Sequence, residues 1–191
     1  VSGCGENAAP EPSQRPVFAQ DQPTSAATVT HAPKVSDPTR ITIPSIGVDA
    51  PITRIGLNPD KSMETPPGGK NLAGWFAPKV ARDEQPFPRP GEIGAAVIAG
   101  HVDSKTGPDV FYRLRELKTG AEILVTDKAG KTHRFKVTAR TQTDKDELPT
   151  DQIWNNPNRP VLRLITCGGT FDRKTGHYTE NVVVFADGVK S

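Results

Sequence analysis

Short apolar runs, separated by glycine and proline, are the feature of this sequence that most restricts its fold. Residues 94–101 (GAAVIAGH), 160–167 (PVLRLITC) and 181–187 (NVVVFAD) are long enough for a buried strand but too short for most helices. Residues 121–141 predict a β-hairpin around a turn at 128–131. Because no long helical segment separates these strands, a parallel α/β sheet is not expected.

The remaining segments add little helix. Predicted elements are two short strands at 39–56, one or two helical turns at 109–117, and a helical turn at 148–155 capped by Thr150. Residues 57–93 are rich in glycine and proline and predict a long loop. We therefore expect an all-β domain of short strands, either an antiparallel sandwich or a closed barrel, and a barrel would also remove exposed sheet edges.

The composition divides the chain into a tail and a domain. Residues 1–38 are rich in Pro, Ala, Ser, Thr and Gln without apolar periodicity, which predicts a disordered linker before a folded domain at 39–191. The first four residues (VSGC) resemble the end of a bacterial lipoprotein signal, with Cys4 as the lipidated residue. The alternative is a stub left by a signal or membrane helix. Both interpretations predict a domain outside the cell membrane.

Charge and residue patterns argue against several classes of function. The 24 basic and 22 acidic residues give a net charge of +2, and aromatic residues make up only 6% of the chain. A nucleic-acid-binding surface is therefore not expected. Neither a CxxC nor an HxxxH pattern occurs, so we expect no metal site and no required cofactor.

Cys167, in the stretch LITCGG (164–169), is the residue whose position most needs an explanation. Packing, a disulfide with Cys4, metal binding and nucleophilic catalysis are the four options. The predicted position at the end of a strand, followed by Gly168 and Gly169, favours a nucleophile, because glycines let the backbone and its N–H groups approach a substrate closely.

A cysteine nucleophile needs a nearby base, and the histidines differ in how well they fit that role. His101 also ends an apolar run, so we predict that it lies beside Cys167. His31 falls in the predicted tail, His133 is expected on a solvated strand face, and His177 is expected in a polar loop that could reach the site.

Around these residues the sequence resembles the sortase family. LITC (164–167) resembles the family motif Thr-Leu-x-Thr-Cys, with Arg163 at the position of the first Thr. Residues 96–117 resemble the segment in which a strand ends at the catalytic histidine. Residues 167–186 (CGGTFDRKTGHYTENVVVFA) are similar to the actinobacterial branch often called class F. The resemblance covers residues 39–188.

This resemblance implies a fold and a reaction. The fold would be an eight-stranded β-barrel with short helices. The reaction would be cysteine transpeptidation, with Cys167 as nucleophile and His101 as general acid and base. The enzyme would cut a sorting signal of the Leu-Pro-x-Thr-Gly type after Thr and form a thioester. It would then pass the surface protein to an amine, expected to be a peptidoglycan precursor or another surface amine.

Further site residues follow from the resemblance with alternatives still open. Sortases carry an arginine near the start of the last strand, where this chain has Asn181, and the nearest arginine is Arg173. Either residue is a candidate for the oxyanion or substrate clamp.

Five other residues are candidates for contacts with the substrate. Asp103 would orient the imidazole or shape the groove, or else form a turn. Thr166 would bond a substrate carbonyl, Gly168 would offer a backbone N–H, and Tyr178 and Trp75 would form groove walls. For Thr166, Tyr178 and Trp75 ordinary packing is the alternative.

Two other functions also fit parts of the sequence. An L,D-transpeptidase is a β-rich cell-wall enzyme with a catalytic cysteine, but ITCGGT (165–170) lacks the expected preceding Gly and following Arg. A secreted β-barrel binding module with an inert Cys167 is the non-enzymatic alternative.

Overall fold

The computed structural model describes residues 34–79 and 87–190. Cys4, its predicted lipid or disulfide, and nearly all of the predicted linker lie outside the described residues. Within the described ranges, no helix has the length and apolarity needed to cross a bilayer.

Short strands dominate the described chain. The ten strands are β1 (Pro38–Ile43), β2 (Val48–Ile55), β3 (Ala73–Phe76), β4 (Gly94–Ala99), β5 (Asp103–Ser104), β6 (Gly107–Pro108), β7 (Glu122–Asp127), β8 (Thr132–Asp144), β9 (Pro160–Asp172) and β10 (His177–Gly188). The helical elements are α1 (Thr150–Ile153) and three 3-10 helices at Pro44–Ile46, Leu114–Glu116 and Lys145–Glu147.

Eight of these strands form a closed barrel in the order β1-β2-β3-β4-β9-β10-β8-β7, and β7 pairs back with β1. The prediction of an eight-stranded barrel with short helices is therefore confirmed. Two of the pairs, β2–β3 and β4–β9, are parallel. The sequence pattern did not indicate these parallel pairs. A loop joins β2 to β3, and four strands lie between β4 and β9 in the sequence, of which β7 and β8 belong to the barrel.

The structure corrects several predicted elements. β3 lies in the region predicted as loop, because only four apolar or small residues form it between glycine- and proline-rich flanks. Trp75 in this strand is 1% exposed and its indole N–H donates to the carbonyl of Pro88 at 3.2 Å, so it is a core residue and not a groove wall. Thr150 does not cap α1, since the capping position is Pro149, without a side-chain hydrogen bond.

Apolar residues pack on both faces of the barrel wall. On β9, Leu162 and Leu164 belong to the interior core, whereas Ile165 belongs to a second cluster on the outer face. Because side chains alternate along a strand, Thr166 follows Leu164 on the inner face and Cys167 follows Ile165 on the outer face. The outer cluster also contains Val97, Ala99, Val183 and Ile153, the last from α1.

His133 is buried, so the prediction of a solvated strand face is wrong. It is 9% exposed, and its Nε2 lies 2.9 Å from Oδ2 of Asp127. Asp127 also accepts hydrogen bonds from the backbone N–H groups of Ala129 and Lys131 at 3.0 Å and from that of Ser36 at 3.4 Å. Burial raises the pKa of Asp127, but these hydrogen bonds outweigh it and hold the pKa below its usual range.

Replacement of Asp127 by Ala should lower the free energy of unfolding by about 3 kcal/mol, because it leaves His133 and the turn amides without their acceptor. A carboxyl with a lowered pKa stabilises the fold above its ordinary pKa, and this stabilisation is lost as the pH falls through the lowered value. Denaturant unfolding at pH 7 and pH 3 measures both effects.

The matched control is Asp187→Ala, which removes an exposed ion pair with Arg159 at 3.3 Å. It should cost less than about 1 kcal/mol. Equal effects of the two substitutions would contradict a special role for the buried pair.

Candidate active site

Cys167 lies within β9 and not at its end, which corrects the sequence-based prediction. The strand continues to Asp172 and pairs with β10 as a long hairpin. Gly168 pairs with Glu180, and Gly169 has a φ of +75° next to a register shift in β10. This conformation and close packing against Glu180 account for a glycine at 169.

The parallel pairing of β4 with β9 brings His101 to the level of Cys167. Ala99 pairs with Ile165, and the N–H of Gly100 donates to the carbonyl of Ile165 at 3.0 Å. His101 lies two residues beyond Ala99, and Cys167 lies two residues beyond Ile165. Neighbouring strands of a sheet are about 4.8 Å apart. β4 itself ends at Ala99, two residues before the histidine.

A loop from the β2–β3 connection holds the imidazole of His101. Its Nε2 lies 2.6 Å from the carbonyl oxygen of Pro66. Because a carbonyl only accepts, Nε2 must carry the hydrogen, and Nδ1 is the nitrogen left for another partner. Asp109 fixes this loop, since its carboxylate accepts hydrogen bonds from the N–H groups of Gly69 at 2.5 Å and Asn71 at 3.1 Å.

Asn181 lies directly opposite Cys167 on β10. Residues paired across antiparallel strands share a face, so both side chains project from the outer side of the barrel wall. Thr143 on β8 is the next partner in the same row. Its hydroxyl is buried and, within the described residues, has no hydrogen-bond partner.

The structure does not bring Arg173 or His177 to Cys167. Arg173 is exposed in the turn at the tip of the β9–β10 hairpin. It lies six residues beyond Cys167, about 20 Å along an extended strand. His177 is exposed beside the same turn, where it pairs with Asp172.

A cavity of about 270 Å³ opens beside Cys167. We call it the Cys167 cavity. Four residues that were predicted to contact substrate line it: Asp103, Thr166, Gly168 and Tyr178. Asp103 also lines a second cavity together with His101, so it borders both the cavity of Cys167 and that of His101.

Tyr178 and Asp103 join the hairpin to the segment after His101. The phenol of Tyr178 donates a hydrogen bond to Oδ2 of Asp103. This bond, followed by burial and the charge of Asp103, raises the pKa of Tyr178 to about 12. The phenol therefore stays protonated, and keeps donating to Asp103, throughout the physiological pH range.

The comparisons with known proteins decide the family. The Sortase domain model matches residues 41–189 of the chain. The chain belongs to the sortase family. It is therefore an enzyme of a family of cysteine transpeptidases, and neither the L,D-transpeptidase nor the binding-module alternative is supported. No sequence among the curated proteins matches it.

Solved sortase structures share the fold. Sortase C-1 from Actinomyces oris is 25% identical, with a TM-score of 0.57, and the match covers 80% of this chain and 72% of that one. A lid mutant of sortase A from Corynebacterium diphtheriae is 20% identical, with a TM-score of 0.59 and coverage of 83% and 73%. A Clostridium perfringens sortase D5 transpeptidase is 23% identical, with a TM-score of 0.56 and coverage of 81% and 79%.

Sequence reasoning missed three residues that line the Cys167 cavity of this sortase: Tyr112, Arg115 and Gln142. Arg115 lies in a 3-10 helix, and its guanidinium carbon is 5.4 Å from the centroid of the Tyr112 ring. The apolar spacing of 109–117 predicted helical turns, but nothing in it showed which polar side chains would face the cysteine.

Within the described residues, no group of three or more His, Cys, Asp or Glu side chains could hold a metal ion.

Replacement of Asp109 by Ala should loosen the loop that contacts His101. Without the carboxylate, the N–H groups of Gly69 and Asn71 lose a charge-assisted acceptor, so their hydrogen exchange should accelerate by about tenfold or more. Hydrogen–deuterium exchange of peptides covering residues 68–71 measures the effect.

Asp60→Ala is the control, because Asp60 accepts hydrogen bonds from Ser62 within its own turn, earlier in the same β2–β3 connection. Unchanged exchange at 68–71 in Asp109→Ala, or equal acceleration in Asp60→Ala, would show that Asp109 does not hold the loop.

Proposed function

We propose that this sortase cleaves a Leu-Pro-x-Thr-Gly-like sorting signal between Thr and Gly and transfers the acyl product, through a thioester on Cys167, to a cell-wall amine. The observation that supports this most directly is the register of three neighbouring strands. β4, β9 and β10 bring the chain at His101, Cys167 and Asn181 to one level of the barrel wall. A nucleophile, a proton carrier and a hydrogen-bond donor are the groups that acyl transfer requires.

In the first half of the reaction, the thiolate of Cys167 attacks the carbonyl carbon of the signal's Thr. A C–S bond forms, the C–N bond to Gly breaks, and the imidazolium of His101 gives its proton to the leaving amine. The hydrogen bond from Nε2 to the Pro66 carbonyl would keep the ring oriented, so that Nδ1 transfers the proton.

We assign stabilisation of the oxyanion to Asn181 in preference to Arg173. The Asn181 amide can donate a hydrogen bond and starts from the position opposite the nucleophile. Arg173 would have to cross most of the hairpin arm to reach it. Asn181 brings no charge, so its contribution rests on a preorganised donor alone.

The outer face of the barrel would hold the sorting signal. Ala99, Ile165 and Val183 belong to a buried apolar cluster beside Cys167, and the Leu and Pro side chains of such a signal would pack against its edge. The unpartnered hydroxyl of Thr143 in the same row would hydrogen-bond the peptide backbone.

The motif at residues 167–186 supports the actinobacterial class F branch within the family. The donors would then be surface proteins that carry a C-terminal sorting signal, and the acceptor would be an amine of a peptidoglycan precursor. The enzyme would act on the outer side of the cell membrane, anchored by a lipid on Cys4 or by an upstream segment.

Replacement of Cys167 by Ala should abolish cleavage of a sorting peptide and eliminate the thioester, because the substitution removes the sulfur that attacks the peptide and carries the acyl chain. His101→Ala should lower turnover at least about 100-fold, the usual range for loss of a general acid and base. Peptide cleavage rates and the intact mass of the acyl-enzyme measure the two effects.

His177→Ala provides the control, since His177 is exposed next to the hairpin tip. Near-wild-type turnover in His101→Ala would rule out His101 as the proton carrier. A thioester mapped to a residue other than Cys167 would rule out the proposed nucleophile.

Asn181→Ala should lower kcat about 100-fold, the cost of losing one oxyanion donor. Arg173→Ala should lower kcat by a smaller factor, because Arg173 lies at the tip of the β9–β10 hairpin. Single-turnover acylation of each variant, with thermal unfolding to verify the fold, gives the comparison. If Arg173→Ala is the more damaging substitution, the assignment is reversed.

A further inference from the structure

The Cys167 cavity has polar features that the reaction of the sorting signal does not use. Thr166 faces the inner side of the barrel wall, opposite to the outer face proposed for the signal. It is 4% exposed, and its hydroxyl has no hydrogen-bond partner within the described residues. A buried hydroxyl without a partner is costly, so a ligand that accepts or donates a hydrogen bond here would be stabilised.

Two opposite charges line the same cavity. Asp103 is held by the phenol of Tyr178, and the Arg115 guanidinium lies over the ring of Tyr112. In the described part of the chain, neither charged group joins a salt bridge. Both charges therefore remain available to a ligand, and each is positioned by an aromatic neighbour.

We propose that the Cys167 cavity binds the acceptor, and that the acceptor carries a carboxylate next to its nucleophilic amine. The amine would donate to Asp103, while the carboxylate would accept from Arg115 and from the hydroxyl of Thr166. The volume of about 270 Å³ suits a small head group of this kind. This inference rests on the proposed function, because it names the second substrate of the same reaction.

The geometry gives the two substrates separate routes to one atom. With the acyl chain on the outer face, the amine nitrogen approaches the thioester carbonyl carbon from the cavity. A C–N bond forms as the C–S bond breaks, and sulfur leaves as the thiolate with the electron pair. The proton lost by the nitrogen passes to His101, which was left neutral by the first half of the reaction.

Alkylation of Cys167 tests the carboxylate site without any need for sorting-signal chemistry. Iodoacetate carries a carboxylate and iodoacetamide does not. The rate of Cys167 alkylation by iodoacetate, divided by the rate with iodoacetamide, is therefore raised by a nearby cation. Arg115→Gln should lower this ratio at least about tenfold. Comparison of each variant with the wild type cancels the intrinsic difference between the two reagents.

Acceptor capture tests the role in transfer. The donor is a Leu-Pro-x-Thr-Gly peptide, and glycine and glycinamide compete as acceptors. The wild type should form more of the glycine product than the reactivities of the two amines in solution predict. Arg115→Gln should lower that preference by a similar factor. Arg113→Gln is the matched control, because Arg113 lies two residues away and pairs with Glu116 outside the cavity. It should leave both ratios unchanged.

The possible results separate the inference from the function on which it rests. An unchanged alkylation ratio in Arg115→Gln, or an equal fall in Arg113→Gln, overturns the inference. A lower alkylation ratio with an unchanged preference for glycine also overturns it, since the carboxylate site would not serve the acceptor. Failure to form any thioester overturns the proposed function, while the alkylation ratio still reports on the carboxylate site.

Discussion

The parallel pairing of β4 with β9 is the contact on which the candidate site depends. It joins segments 66 residues apart in the chain, from Ala99 to Ile165, and it has no turn to fix its register. The apolar side chains on both faces of β9 must therefore set the register. A slip of one residue would exchange the two faces of the strand and turn Cys167 towards the interior core.

Residue type and spacing predicted an all-β domain, either a sandwich or a closed barrel, and the resemblance to sortases added the eight strands and short helices. The roles of Cys167 and His101 stay predictions. Both residues follow apolar runs, which the sequence displays directly. The sequence did not show that β9 continues past Cys167, because Gly168 and Gly169 read as a loop unless their pairing with β10 is known. Apolar periodicity also missed β3, which is only four residues long.

The remaining differences come from contacts between distant segments. His133 looked solvated because charged residues flank it in the sequence, but its partner Asp127 buries it across the β7–β8 hairpin. Arg115 lines the Cys167 cavity because its neighbours Phe111, Leu114 and Leu117 pack into the interior core and hold this segment against the barrel. The position of Asn181 opposite Cys167 depends on the register of β10, whereas the family pattern favoured Asn181 and kept Arg173 as a second candidate.

The hydrogen bonds to Asp127 have a consequence for how the enzyme meets its substrates. They tie Ser36 to the β7–β8 turn, so the chain enters the barrel there. On β8, eleven positions separate Thr132 at this turn from Thr143 in the row of Cys167, roughly 36 Å of strand. A barrel held at this turn would therefore carry the row of Cys167 near the other end of β8 from the point where it is held.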